Sequence, residues 1–136
     1  MKIVVGGLGR KSGKTSMVCR ILRLFPGRAW LAVKVSSHEH APLGGQGFSI
    51  TEEREPGLAG DTRRYLEAGA KRALLVEGDP EQALPALRAE LAQAADWIVE
   101  TNALATRLHA DFTFFVADPL AGAEDEKLRR FFSGLE

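Results

Sequence analysis

Apolar positions along this chain follow two alternating rhythms. Residues 2–6 form a short run rich in β-branched side chains, the pattern of a strand buried on both faces. After a glycine-rich turn, Val18, Ile21, Leu22 and Phe25 fall at i, i+3, i+4 and i+7, one face of a helix that Pro26-Gly27 ends. Residues 29–35 read as a second strand. Residues 61–69 read as a short helix, with Asp61 as its N-cap and Gly69 near its end. A third strand follows at 73–76, and then Leu84, Leu87 and Leu91 share a helix face, with Pro85 expected near the helix start. Residues 97–99 and 112–116 read as two further strands, and Leu128, Phe131 and Phe132 as a last amphipathic helix. Strand and helix in repetition predict an α/β fold: a single three-layer domain over residues 1–136, with a mostly parallel sheet flanked by helices.

One stretch breaks the rhythm. From about residue 36 to 60 the chain shows no clear period and carries Pro42, Gly44, Gly45, Gly47, Pro56, Gly57 and Gly60. Loops of this length are uncommon in compact domains and are functional or flexible where they occur. A short hairpin around residues 47–50 is expected inside it.

Chemistry concentrates in the segment from Gly6 to Thr15, which follows the first strand and opens the first helix. Its glycines at 6, 7, 9 and 13 allow successive backbone N–H groups to turn around an anion. The helix start adds unpaired N–H groups and partial positive charge. Gly9, Arg10, Lys11, Ser12, Gly13, Lys14, Thr15 and Ser16 are therefore the candidate nucleotide-binding residues. Lys14 suits the β- and γ-phosphates, and the Thr15 hydroxyl suits Mg²⁺. The fold expectation thereby becomes P-loop NTPase-like. The spacing departs from G-x-x-x-x-G-K-[ST] in one place, where Leu8 stands for the first glycine.

A site of this kind also needs a carboxylate at the C-terminal end of a parallel strand, since Mg²⁺ prefers oxygen ligands. Glu77, Glu100 and Asp118 follow strand patterns, and Asp61 is a fourth candidate. His38 and His40 beside Glu39 lack the further ligands that a structural metal site requires, and His109 reads as a surface residue. Arg63 and Arg64 at a helix start would meet phosphate or face solvent. No Asn-Lys-x-Asp string occurs, so the base of the nucleotide is not legible from such a motif.

Composition narrows the classes. Apolar residues at 45% and charged residues at 26% match a globular domain and exclude a disordered or collagen-like chain. Cys19 is the single cysteine, which excludes an internal disulfide and suggests a cytoplasmic setting. No apolar run approaches the roughly 18 residues of a membrane span. Eighteen basic and eighteen acidic residues cancel, which speaks against a nucleic-acid partner. The cancellation hides an asymmetry, because residues 1–38 hold eight basic residues and no acidic one. A small polyphosphate with Mg²⁺ suits that division better than a nucleic acid does.

Several of these pieces together resemble the molybdopterin-guanine dinucleotide biosynthesis protein B family. Residues 3–6 followed by Ser12, Gly13, Lys14 and Thr15 resemble that family's strand and loop, and Val33-Lys34 followed by His38 is similar to its second-strand motif. The segment Gly60-Asp61-Thr62-Arg63 with Glu67-Ala68-Gly69-Ala70, and the strand ending in Val99-Glu100, resemble further family segments. Ala59-Gly60 before Asp61 and Thr101-Asn102 after Glu100 depart from its pattern. The resemblance implies a homodimer that binds GTP with Mg²⁺, hydrolyses it slowly, and assists the enzyme that attaches GMP to molybdopterin. It implies Lys14, Asp61 and Glu100 as the residues of turnover, and Thr15, Glu100 and Asp61 as those around the metal. Two other readings stay open at this point: an ATP-dependent small-molecule kinase, and a non-catalytic protein whose nucleotide sets a conformation.

Overall fold

The computed structural model describes residues 1–7, 13–36, 47–54 and 60–117. Six strands form one sheet: β1 (Lys2–Gly7), β2 (Leu31–Ser36), β3 (Phe48–Glu52), β4 (Arg72–Gly78), β5 (Trp97–Glu100) and β6 (Phe112–Val116). Three helices pack on it: α1 (Lys14–Leu24), α2 (Asp61–Glu67) and α3 (Pro80–Ala92). The strand order is β3-β4-β2-β5-β1-β6. All neighbours run parallel except β3, which pairs antiparallel with β4. The expected α/β fold with a mostly parallel sheet is therefore present, as a mixed six-stranded sheet.

Strict alternation along each strand builds a core on either side. On one face, Ile3, Val5, Ala32, Ala73 and Ile98 meet Val18, Ile21 and Leu22 of α1 and Tyr65 of α2. On the other face, Val4, Val33, Leu74, Val76 and Val99 meet Ala83, Leu84, Leu87 and Leu91 of α3. Both faces are covered, which is why the central strands read as continuous apolar runs.

Three local expectations change. The segment between residues 36 and 60 holds no hairpin of its own among its described residues. It supplies the edge strand β3, whose partner is β4, with Phe48 opposite Gly78 and Glu52 opposite Leu74. Asp61 is not the N-cap of α2. Gly60 holds that position and Asp61 begins the helix, its carboxylate turned to an ion pair instead. Pro85 lies inside α3, not near its start, because Asp79 caps the helix by accepting from the Glu81 N–H and Pro80 occupies the first turn. At the other end of α2, Gly69 takes φ 113°. It places the Ala70 N–H on the Tyr65 carbonyl and its own N–H on that of Leu66, closing the helix with a left-handed cap. The C-terminal helix expected around Leu128 lies outside the described residues.

The connection leaving β2 runs toward β3 and β4, on one side, and the connection leaving its neighbour β5 runs to β6, on the other. Neighbouring strands whose connections diverge open a crevice at their carboxyl ends, the usual ligand position in such sheets.

Candidate functional site

Four elements meet at the carboxyl ends of β1, β2 and β5. The β5 strand ends in Glu100, which alternation places on the same face as Ile98, toward α1 and α2. Only 4% of Glu100 is exposed. A carboxylate so buried must be hydrogen-bonded, and this one is. The Thr15 hydroxyl, in the first turn of α1, donates to Glu100 Oε1 at 2.7 Å. The Tyr65 hydroxyl, from α2, donates to the same oxygen. The Lys34 ammonium, from β2, lies 3.6 Å from Oε2.

Lys34 also forms a close ion pair with Asp61 Oδ2. Asp61 starts α2, and its other oxygen lies 3.9 Å from the Arg64 guanidinium. Arg64 in turn donates to the Ser16 hydroxyl at 3.2 Å, tying α2 to the first turn of α1. Burial, with the Glu100 charge next, pushes the Tyr65 hydroxyl well above its ordinary pKa. It remains a neutral donor in that position. Burial also raises the Cys19 thiol, against the opposing effect of the Arg64 charge, and the thiol donates to the Arg64 carbonyl at 3.6 Å.

The route of the chain out of β1 is set by a second contact. The Gly7 N–H donates to Asn102 Oδ1 at 2.8 Å, while Asn102 Nδ2 donates to the Gly7 carbonyl at 2.6 Å. One side-chain amide thus satisfies both backbone groups of the last β1 residue. It holds the exit of β1 beside the segment that follows Glu100. Gly13, with φ 93°, forms the N-cap of α1, a left-handed conformation that suits glycine.

The expected site residues are partly gathered. Thr15, Glu100 and Asp61 come together, with Gly13, Lys14 and Ser16 at the same helix start. Gly9, Arg10, Lys11 and Ser12 lie outside the described residues, as does Asp118. Glu77 is 7% exposed on β4, two strands from β5. Arg63 pairs with Glu67 along its own helix. Sequence reasoning gave no role to Lys34, Tyr65 or Asn102. A signal existed for two of them. Lys34 interrupts an apolar strand, and Tyr65 stands four residues after Asp61, on the same helix face.

Two oxygens of this cluster are of the kind a hard cation takes. They are Thr15 Oγ1 and Glu100 Oε1, which the 2.7 Å hydrogen bond between them sets side by side. Among the described residues no group of three or more His, Cys, Asp or Glu converges. Mg²⁺ that shares phosphate ligands needs only one or two carboxylates. Among the described residues no helix is long and apolar enough to cross a membrane. No family model, curated protein or solved structure matches the chain.

Proposed function

We propose that this chain is a P-loop protein that binds GTP with Mg²⁺ and hydrolyses it slowly. The reading places it, as a homodimer, beside the enzyme that attaches GMP to molybdopterin, in maturation of the molybdenum cofactor. The observation that carries the nucleotide part is the Thr15–Glu100 contact of 2.7 Å. It sets a hydroxyl from the start of α1 against a strand-end carboxylate, immediately after Gly13-Lys14. The molybdenum-cofactor part rests on the resemblance carried by the residues quoted above, from Val33-Lys34 to Glu100.

In this reading the helix start and the Lys14 ammonium take the phosphate charge. Thr15 and Glu100 would hold Mg²⁺, and the ion would supply positive charge against the phosphoryl group. Asp61 stands beside the pair through Lys34 and completes the acidic side of the site. Tyr65, by donating to Glu100, keeps the carboxylate oriented toward Thr15. Asn102 fixes the point at which the glycine-rich segment leaves the sheet.

A calorimetric panel of GTP, ATP and GMP with Mg²⁺, followed by a phosphate-release assay, tests the proposal. GTP is expected to bind several-fold more tightly than ATP and to be turned over slowly. A clear preference for ATP, with transfer to a small molecule, would replace it with the kinase reading. Tight binding with no turnover would leave a nucleotide-set interaction protein.

A further inference from the structure

Lys34 has no task in the phosphate reading, yet it stands at the centre of the cluster. Its ammonium lies on Asp61 and 3.6 Å from Glu100, so one positive charge spans both carboxylates. Among the described residues, the neutral hydroxyls of Thr15 and Tyr65 contact Glu100, and Arg64 lies 3.9 Å from the other oxygen of Asp61. Glu100 is 4% exposed and Lys34 26%, so solvent screens the pair only in part.

From this geometry we infer that Lys34 is a built-in counter-cation, and that a divalent ion has to displace it from between Glu100 and Asp61. The inference rests on the metal reading of this site. A lysine is suited to the exchange, since its ammonium is a point charge on a flexible four-carbon stem. A metal ion arriving alone must separate an ion pair and leave the ammonium without its partners. A metal ion arriving with a polyphosphate brings the anion that the displaced ammonium can then take. Lys34 thereby makes the site weak for bare divalent ions and strong for the metal–polyphosphate complex. It couples the two ligands through a single side chain, as a reciprocal binding linkage.

The test uses the full chain without nucleotide, with Mn²⁺ as probe and free Mn²⁺ followed by electron paramagnetic resonance. Lys34→Gln and Lys34→Met are expected to bind Mn²⁺ about tenfold more tightly than the wild type, since a unit charge at ion-pair distance is removed. Folded neutral variants that bind Mn²⁺ no more tightly overturn the inference. If neither variant folds, the wild type decides: acylation of Lys34, mapped by mass spectrometry, is expected to quicken as Mn²⁺ saturates the site. An unchanged rate overturns the inference. The nucleotide reading is scored separately by GTP binding to the wild type. A chain that binds Mg²⁺-GTP but shows no Lys34 effect loses this inference alone. A chain that gains Mn²⁺ affinity on loss of Lys34 yet binds no nucleotide keeps it and loses the other.

Discussion

The hydroxyl of Thr15 donates to Oε1 of Glu100 across 2.7 Å, joining the first turn of α1 to the last residue of β5. The two residues are 85 positions apart in the chain, and β1 lying next to β5 brings them together. Glu100 accepts from Tyr65 as well, so Glu100→Gln disturbs a buried carboxylate with two hydroxyl donors and a nearby ammonium. Urea denaturation is expected to show a loss of about 1.5–3 kcal/mol, the range for hydrogen bonds to a charged group. A variant as stable as the wild type would mean that Glu100 is not held as described.

Tyr65 is the only tyrosine in the chain and is fully buried against Glu100. Its pKa lies well above the ordinary value, because burial and the Glu100 charge oppose the phenolate. The sign follows from linkage: a raised folded-state pKa contributes stability that is complete below the unfolded value of about 10 and is lost as pH rises beyond it. The ultraviolet absorbance of the phenolate is therefore expected to appear together with alkaline unfolding. Ionisation of the folded protein near the ordinary value would contradict the buried contact.

The edge strand has its own lock. Arg72 on β4 donates to Glu52 on β3 at 2.7 Å and holds that carboxyl below its usual range. A depressed folded-state pKa contributes stability above the unfolded value of about 4.3 and loses it as pH falls through the folded value. Glu52→Gln is expected to be less stable than the wild type at neutral pH, with the gap closing at about pH 3. Urea melts at the two pH values measure it, and an equal gap at both would show that the pair contributes nothing.

Gly69 offers a backbone test. Its φ of 113° lies where side chains are strained, and nothing stands within 4 Å of a Cβ added there. Gly69→Ala is expected to cost about 1 kcal/mol or more, from conformation alone. Gly27→Ala, also in open space, is the control and is expected to stay within about 0.5 kcal/mol of the wild type. Equal stability of the two variants would contradict the left-handed cap of α2.

These residues also mark what was legible in the sequence. The α/β class was legible because both faces of the sheet are covered, which leaves Ile3, Val4 and Val5, or Trp97, Ile98 and Val99, as unbroken apolar runs. Thr15 and Glu100 were legible as candidates because each stands where a strand or a helix meets its loop. The antiparallel partner of β3 was not, since Phe48 and Gly78 are brought together by sheet pairing and not by local pattern. Pro85 misled because the first-turn rule for proline was already met by Pro80. Asp61 was read as a helix cap as well as a site carboxylate, and the cap failed because its carboxylate is taken by Lys34 from β2. Tertiary contact decided both Asp61 and Lys34, and no local spacing reports it.

The most direct test of the nucleotide reading is the affinity of the folded chain for Mg²⁺-GTP, measured by calorimetry for the wild type and for Lys14→Ala. Lys14 is the first residue of α1, beside the Gly13 cap and Thr15. Loss of its charge-assisted contacts to phosphate is expected to weaken binding by about a hundredfold or more, with the circular dichroism spectrum unchanged. Equal affinity in the two proteins, or no binding by the wild type, would contradict the assignment.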